Sequence, residues 1–504
     1  MNDIYWQPEM PSGGNRLVVV SNRLPFILTR EQGRWSLRPG AGGLISALAP
    51  VLRNRGGMWI GWPGSAQGEI PDIDQLLSTA TTNSGYTLKP VALNAEEKEK
   101  FYHGFSNEII WPLFHDLQSH CNFDASYWHV YEDVNRKFAD VIARNHKPED
   151  FVWVHDYHLI NVARELRQLG LRAQTGFFLH IPFPPLDIFL KLPWRFQMLH
   201  ALLEYDLIGF QTLRDRRNFI QCIRTLIPDA TLNGKGQVIA AHVGGREVRI
   251  GAFPIGIDYN EFAKKAASDD VQERVVRLRQ DLRNRQIILG VDRLDYTKGI
   301  SNRIEAFRNL LQRHPELHHK VTLIQVVVPS REDIPRYHAL KNEIERMVGE
   351  INGQFTQSGW VPVHYIYRSL TRNELLAYYN AASIGLVTPL KDGMNLVAKE
   401  FCAASVEENS VLILSEFAGA AAQLQKGALL VNPYNTEEAA DALYQAFNMP
   451  ESERRTRMRK LRRAIREYDI FWWVDSFLRA AIAKDLSDFP MPEEYIPQIE
   501  TIVL

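Results

Sequence analysis

At 504 residues the chain is too long for a single hydrophobic core, and its 45% hydrophobic and 23% charged residues are those of an ordinary globular protein of two domains or more. Lys and Arg number 58 against 59 Asp and Glu, a net charge of -1, which argues against a chain whose main task is to hold nucleic acid or to coat a membrane, while leaving room for a small anionic substrate held by a few local arginines. The 3 cysteines (Cys121, Cys222, Cys402) are far apart and fit a reducing compartment, Met1–Asn15 lacks the basic-then-apolar order of a signal peptide, and no apolar run is long enough to span a bilayer, so the expected place is the cytoplasm.

Short apolar runs recur along the chain: Leu17–Val20, Phe151–Val154, Phe177–Leu179, Leu207–Phe210, Ile287–Val291, Val321–Val328, Ile384–Val387, Val411–Leu414 and Ala428–Val431. Stretches of helical periodicity separate most of them, such as Asn373–Ala382 with Leu375, Leu376, Tyr379 and Ala382 on one side. Buried strands alternating with helices predict parallel sheets covered on both faces. The Pro- and Gly-punctuated segment Phe253–Asp258 reads as a hinge near mid-chain. The expected division is therefore a domain over residues 1–257, a second over 258–467, and a terminal helix and tail over 468–504 packing back on the first domain. The basic stretch Arg454–Arg466 carries Met458, Leu461 and Ile465 at helical spacing, so it reads as an amphipathic helix with a solvated basic face.

In open parallel sheets ligands bind beyond the carboxyl ends of the strands, which makes the residues after each apolar run the candidates. After Leu17–Val20 come Ser21-Asn22-Arg23 and, further on, the pair Gly42-Gly43, which on its own is most simply a tight loop. After Phe151–Val154 come His155-Asp156-Tyr157-His158, and after Phe177–Leu179 comes His180, polar groups able to orient sugar hydroxyls. No carboxylate or thiolate stands at metal-ligand spacing from these histidines, and no metal is expected. After Ile287–Val291, Arg293 and Lys298 suit a diphosphate, whose negative charge grows as a bond to it breaks. Surface pairing of the same cations to Asp292 and Asp295 fits the residues equally well. The most informative stretch is Asp392-Gly393-Met394-Asn395-Leu396-Val397-Ala398-Lys399-Glu400, where a loop carboxylate precedes a helix start with free N–H groups and a second carboxylate follows on the helix.

The ordered set Val20–Pro25, Gly42–Leu44, Trp153–Leu159, Phe178–Pro184, Arg293–Gly299 and Asp392–Glu400 resembles the trehalose-6-phosphate synthases, glycosyltransferase family 20, from about Arg16 to about Leu478. The resemblance implies an α/β fold of the GT-B type: two facing doubly wound, Rossmann-like domains with a cleft between them. It implies glucose transfer with retention from a nucleotide-glucose such as UDP-glucose to glucose 6-phosphate, with no cofactor and no metal, the nucleotide-sugar being a substrate. By motif matching, Gly42, Gly43, Leu370, Gly393, Met394, Asn395, Leu396 and Glu400 are implied to bind the donor together with Arg293, Lys298 and Asp392. Arg23, Tyr102, Asp156 and Arg331 are implied to bind the acceptor, and His180 to stand beside the reacting centre, so that His180, Arg293, Lys298 and Asp392 form the catalytic set. Partners are expected to be small-molecule substrates, with no nucleic acid and no membrane; assembly with identical chains is left open. Lys391 departs from the arginine of many relatives, and the segment Phe26–Pro39 is longer than in some bacterial ones. Two other functions fit the same motifs: a glucosylglycerol-phosphate synthase using glycerol 3-phosphate, and a non-catalytic sugar-phosphate sensor.

Overall fold

The computed structural model describes residues 16–497 apart from 32–33, 41–42, 56, 66–67, 69, 71–72, 284, 332–333, 484–485 and 487–488. It divides into two compact units, residues 1–254 with 471–492 and residues 255–470 with 493–504. The crossings thus fall after Pro254 and Ile470, a few residues from the expected Ile257 and 467.

The first unit contains β1 (Leu17–Arg23), β2 (Phe26–Glu31), β3 (Arg34–Pro39), β4 (Met58–Trp62), β5 (Thr87–Pro90), β6 (Phe151–His155), β7 (Gln174–Phe178), β8 (Leu207–Phe210), β9 (Thr231–Asn233), β10 (Val238–Val243) and β11 (Arg246–Ala252). Nine of these strands form one sheet in the order β5-β4-β1-β6-β7-β8-β11-β10-β9. From β5 to β11 every neighbouring pair is parallel. The last two pairs, β11 with β10 and β10 with β9, are antiparallel, so the expectation of a purely parallel sheet fails at this edge. The cause is local: Gly244 and Gly245, at φ 56 and 78, close a two-residue turn that joins β10 to β11 as a hairpin. The long segment after the asparagine-arginine motif is itself a hairpin, with Phe26 opposite Pro39 and Glu31 opposite Arg34.

The helix Ile470–Ile482 sends Trp473 and Phe477, both fully buried, onto the first sheet. Phe477 stacks on Trp153 at 4.3 Å between ring centroids. Gly176 on β7 and Gly209 on β8 make room for it, because a Cβ at either would meet the Phe477 ring at 2.9 or 2.7 Å. The tail does not follow that helix throughout: Glu493 pairs with Lys426, and Tyr495 donates to Glu416 at 3.2 Å, so the stretch from 493 belongs with the second unit.

The second unit has one six-stranded sheet, β14-β13-β12-β15-β16-β17, parallel throughout. Its strands are β12 (Gln286–Arg293), β13 (Val321–Val328), β14 (Val363–Tyr367), β15 (Ile384–Val387), β16 (Val411–Ser415) and β17 (Leu429–Val431). Nearly continuous burial of β12, β13, β15 and β16 fits their β-branched and leucine-rich sequences, as helices cover a parallel sheet on both faces. The amphipathic helix in the basic stretch runs Glu451–Glu467 and buries Met458, Leu461 and Ile465. The chain thus has two doubly wound α/β halves, the fold of the GT-B type.

Candidate active site

In the first unit the candidates gather at the carboxyl ends of adjacent strands. Arg23 closes β1, Asp156 follows β6 and His180 follows β7, with β6 lying between the other two strands. The Arg23 guanidinium lies over the Trp62 ring at 4.3 Å and near that of Tyr102 at 5.9 Å. The residue is exposed, yet loss of hydration lowers its pKa, against a raising effect of Tyr102, and Gly64 opposite has no room for a side chain. Tyr102 stacks on His158 with the rings 11° from parallel. Asp156 adopts φ 76, and its Oδ1 accepts from the N–H of Tyr157 at 3.1 Å and of His180 at 3.3 Å. His180 Nε2 is 3.2 Å from His155 Nδ1, and Gln211 Nε2 is 3.5 Å from its other ring nitrogen. Burial drives both histidines neutral, His180 to about 3 and His155 well below its usual value, where His180 adds repulsion.

In the second unit Asp295 is the organising group. Its Oδ1 accepts from Thr297 N–H at 3.0 Å and Thr297 Oγ1 at 2.9 Å, while Arg331 reaches Oδ2 at 3.3 Å. Burial pushes this carboxyl up, but Arg331, Lys298 and Arg293 together hold it below the usual range. Three cations therefore converge around one buried carboxylate. Lys298 also pairs with Asp392 at 2.6 Å, with side chains only 11% and 15% exposed. Asn395, at φ 77, ties this pair to the next helix: its Nδ2 donates to Asp392 at 3.1 Å and its Oδ1 caps Ala398 N–H at 3.1 Å. The backbone N–H groups of Gly393, Met394 and Asn395, just before the helix Leu396–Ala404, have no acceptor among the described residues. On that helix Glu400 accepts from Tyr379 Oη at 3.0 Å, and burial pushes its carboxyl up to about 7, against that bond and Arg372.

Seven non-glycine residues among those described have positive φ, and three of them, Asp156, Arg331 and Asn395, stand beyond strand ends among the sequence candidates. Strain of this kind persists where surrounding contacts over-determine it, and it concentrates at functional sites. Gly42 lies outside the described residues, Gly43 opens the helix Gly43–Arg55, and Leu370 is half-buried just before the cap Thr371 of the helix Arg372–Ala381. No group of three or more His, Cys, Asp or Glu among the described residues is arranged to hold a metal ion. No helix among them is long and apolar enough to cross a membrane.

A model of glycosyltransferase family 20 matches residues 15–483. The chain belongs to glycosyltransferase family 20. A trehalose-6-phosphate synthase of Mycolicibacterium vanbaalenii is 42% identical over 484 residues, covering 95% of this chain and 98% of its own. The solved α,α-trehalose-phosphate synthase (UDP-forming) of Burkholderia xenovorans, in complex with glucose-6-phosphate, is 36% identical and covers 93% of this chain and 100% of its own, with a TM-score of 0.83. A solved E. coli relative bound with UDP-2-fluoro glucose is 36% identical over 93% of this chain and 99% of its own, also with a TM-score of 0.83. This family member is accordingly an enzyme, a glycosyltransferase.

Sequence reasoning missed the support beneath the second cluster. Arg303, fully buried, donates to Asp292, to Gln325 at 3.2 Å, to Thr388 Oγ1 at 3.1 Å and to the Lys298 carbonyl at 3.3 Å. It thus joins β12, β13 and the loop after β15 behind Lys298. An arginine between Ile300, Ile304 and Phe307 on the buried stripe of the helix Ile300–Arg313 was the available signal. Lys399 was also passed over: it is buried, donates to Ile255 O at 2.7 Å and Gln423 Oε1 at 2.6 Å, and burial lowers its pKa to about 7.

Proposed function

We propose that this glycosyltransferase is a trehalose-6-phosphate synthase that moves glucose from UDP-glucose to glucose 6-phosphate with retention of configuration. The observation that carries the donor half is the convergence of Arg293, Lys298 and Arg331 on Asp295, beside the unclaimed N–H groups of Gly393–Asn395. That array matches a diphosphate in charge and in donor number. Glu400 takes the ribose hydroxyls and Leu370 meets the base. On the acceptor side Arg23 and Tyr102 hold the phosphate, and Asp156 accepts from the sugar hydroxyls. The similar enzyme from Burkholderia xenovorans, solved with glucose-6-phosphate, supports this acceptor.

In the proposed reaction the bond between the anomeric carbon and the diphosphate oxygen breaks as the acceptor hydroxyl attacks on the same face. The hydroxyl proton passes to the departing phosphate oxygen, and UDP leaves. His180, held neutral, offers hydrogen bonds beside the reacting centre without adding charge that would compete with the diphosphate. Rate comes from positioning and from stabilising charge on the leaving group, and Arg293 and Lys298 supply this without a resident metal. The experiment is a nucleoside diphosphate release assay, with and without EDTA, across UDP-, GDP- and ADP-glucose and across glucose 6-phosphate, glycerol 3-phosphate and free glucose. The proposal expects UDP release with glucose 6-phosphate, unaffected by EDTA, and an α,α-linked product by NMR. Preferred use of glycerol 3-phosphate, or no turnover with any pair, overturns it.

A further inference from the structure

At the opposite edge of the second sheet lies a polar cavity of about 260 Å³ that the transfer reaction does not use. It opens where β12 begins at Gln286 and where Ser383 and Ser410 precede β15 and β16. Gln286 and Arg293 are seven strand steps apart, or roughly 23 Å at ~3.3 Å per residue, so this cavity and the diphosphate cluster are separate sites.

Three features of its wall ask for a ligand. First, its charge is unbalanced. Of the three arginines, Arg279 is neutralised by a two-bond pair with Glu407 at 2.8 and 3.1 Å. Arg285 has only the carbonyls of His319 and Gly359 as partners, and the Arg454 side chain has none among the described residues. The other acids nearby are committed elsewhere: Glu408 to Arg459 and Arg462, Glu451 to Arg455, and Glu453 to Arg457. Second, buried polar atoms of three lining residues have no partner among the described residues: the Nε of Arg454, the Oε1 of Gln286 and the Oδ1 of Asn409. Buried polar groups are paired in most folded proteins, so three orphans on one wall are a demand for a partner. Third, Ser405 and Ser410, both buried, share one hydrogen bond at 2.6 Å, which leaves one hydroxyl proton of the pair unassigned. The wall therefore presents both cationic donors and neutral acceptors.

We propose that this cavity is a second ligand site, for a small hydroxylated anion such as a phosphorylated polyol, distinct from the transfer site. The anion meets Arg285 and Arg454, and the hydroxyls donate to Gln286 and Asn409. The bound ligand also touches the ends of two helices that matter to the donor. Asn380 and Ala381 end the helix that carries Tyr379, and Ser405 caps the helix that carries Glu400. The inference stands on its own and does not need the acceptor assigned above.

The test uses sorbitol 6-phosphate, inorganic phosphate and sorbitol as probes on the full chain. Because the acceptor site also takes phosphates, calorimetric titrations are run on Arg23→Ala, on Arg23→Ala/Arg454→Gln and on Arg23→Ala/Asn409→Ala, each checked for a native unfolding midpoint. The expected result is one site for sorbitol 6-phosphate in Arg23→Ala, weakened at least about 10-fold by Arg454→Gln, the scale of one lost charge-assisted interaction. Asn409→Ala should weaken sorbitol 6-phosphate but leave inorganic phosphate unchanged. Crystals soaked in sorbitol 6-phosphate should show density against Arg285 and Arg454. Water alone in the cavity, equal binding by Arg23→Ala and Arg23→Ala/Arg454→Gln, or sorbitol binding as tightly as its phosphate would each overturn the proposal.

Discussion

Arg23 at the end of β1 rests on the rings of Trp62 and Tyr102 with no carboxylate partner among the described residues, whereas Lys298 and Arg331 beyond β12 and β13 each meet one, Asp392 and Asp295. The first arrangement leaves a cation with nothing to release when an anion arrives. The second is pre-paired: an anion that takes Lys298 has to displace Asp392. Pre-pairing also fixes the cations before substrate binds, at the expense of competition for them. The aromatic seat keeps Arg23 in position without that competition, and loss of hydration there lowers its pKa because no anion offsets it.

The largest effect is expected where the second cluster rests on a buried charge. Arg303→Met leaves Asp292 without its partner in a fully buried position, which should cost about 3–5 kcal/mol of stability. Denaturant titration followed by a probe in the second unit measures it; a change under 1 kcal/mol would mean that the loop behind Lys298 does not depend on this pair. Next comes Arg23→Ala. With the one charged partner that the first unit offers the proposed acceptor phosphate removed, turnover of glucose 6-phosphate should fall about 10³-fold, the scale of several kcal/mol of charge-assisted bonding. Free glucose should already be that poor with the native enzyme and unchanged by the substitution. Equal rates for the two acceptors in the native protein would remove the contrast between the clusters. Lys298→Ala should be milder, about 10²-fold in turnover, since Arg293 remains and the lost group acts mainly as charge builds on the leaving diphosphate. A raised donor Michaelis constant at native turnover would instead make Lys298 a ground-state contact.

What could be read in the sequence follows from what leaves a periodic trace. The strands expected from β-branched runs, β12 and β13 above all, lie where the runs lie, because a strand buried on both faces needs apolar residues throughout. β4 and β5, and the hairpin of β10 and β11, went unread; for that hairpin Gly244-Gly245 was a turn signal that alternating strands of mixed polarity obscured. The candidate residues were legible as motifs, but not their partners. Nothing in spacing brings Arg303 against Thr388 or Tyr379 against Glu400, because those contacts join residues 85 or 21 positions apart and depend on packing. The positive φ of Asp156, Arg331 and Asn395 was equally hidden, since only Asn and Asp adopt it readily and an arginine gives no warning.

The smallest effect, and the one that most sharpens the contrast, is pH dependence in donor binding. The second unit's cluster contains a group poised near neutrality, whereas His180 in the first unit is neutral far above its pKa of about 3. Burial holds the Glu400 carboxyl at about 7, so in the free enzyme it is largely protonated at pH 6. Ribose hydroxyls donate to the ionised carboxylate and stabilise it, so the pKa falls in the complex and binding releases a proton. Donor affinity should then rise with pH up to about 7 and level off above it, with a slope of up to about tenfold per pH unit below. The phosphate of UDP titrates near pH 6 as well, so UDP binding is measured by calorimetry in parallel with Glu400→Gln, which keeps the size of the side chain but cannot ionise. The difference between the two profiles belongs to Glu400: it should vanish near pH 5 and reach its full value above pH 7.5. Lys399, also near 7 through burial, remains in both proteins, so a titration that survives in Glu400→Gln belongs to the lysine or the nucleotide. Superimposable profiles would show that Glu400 does not meet the ribose.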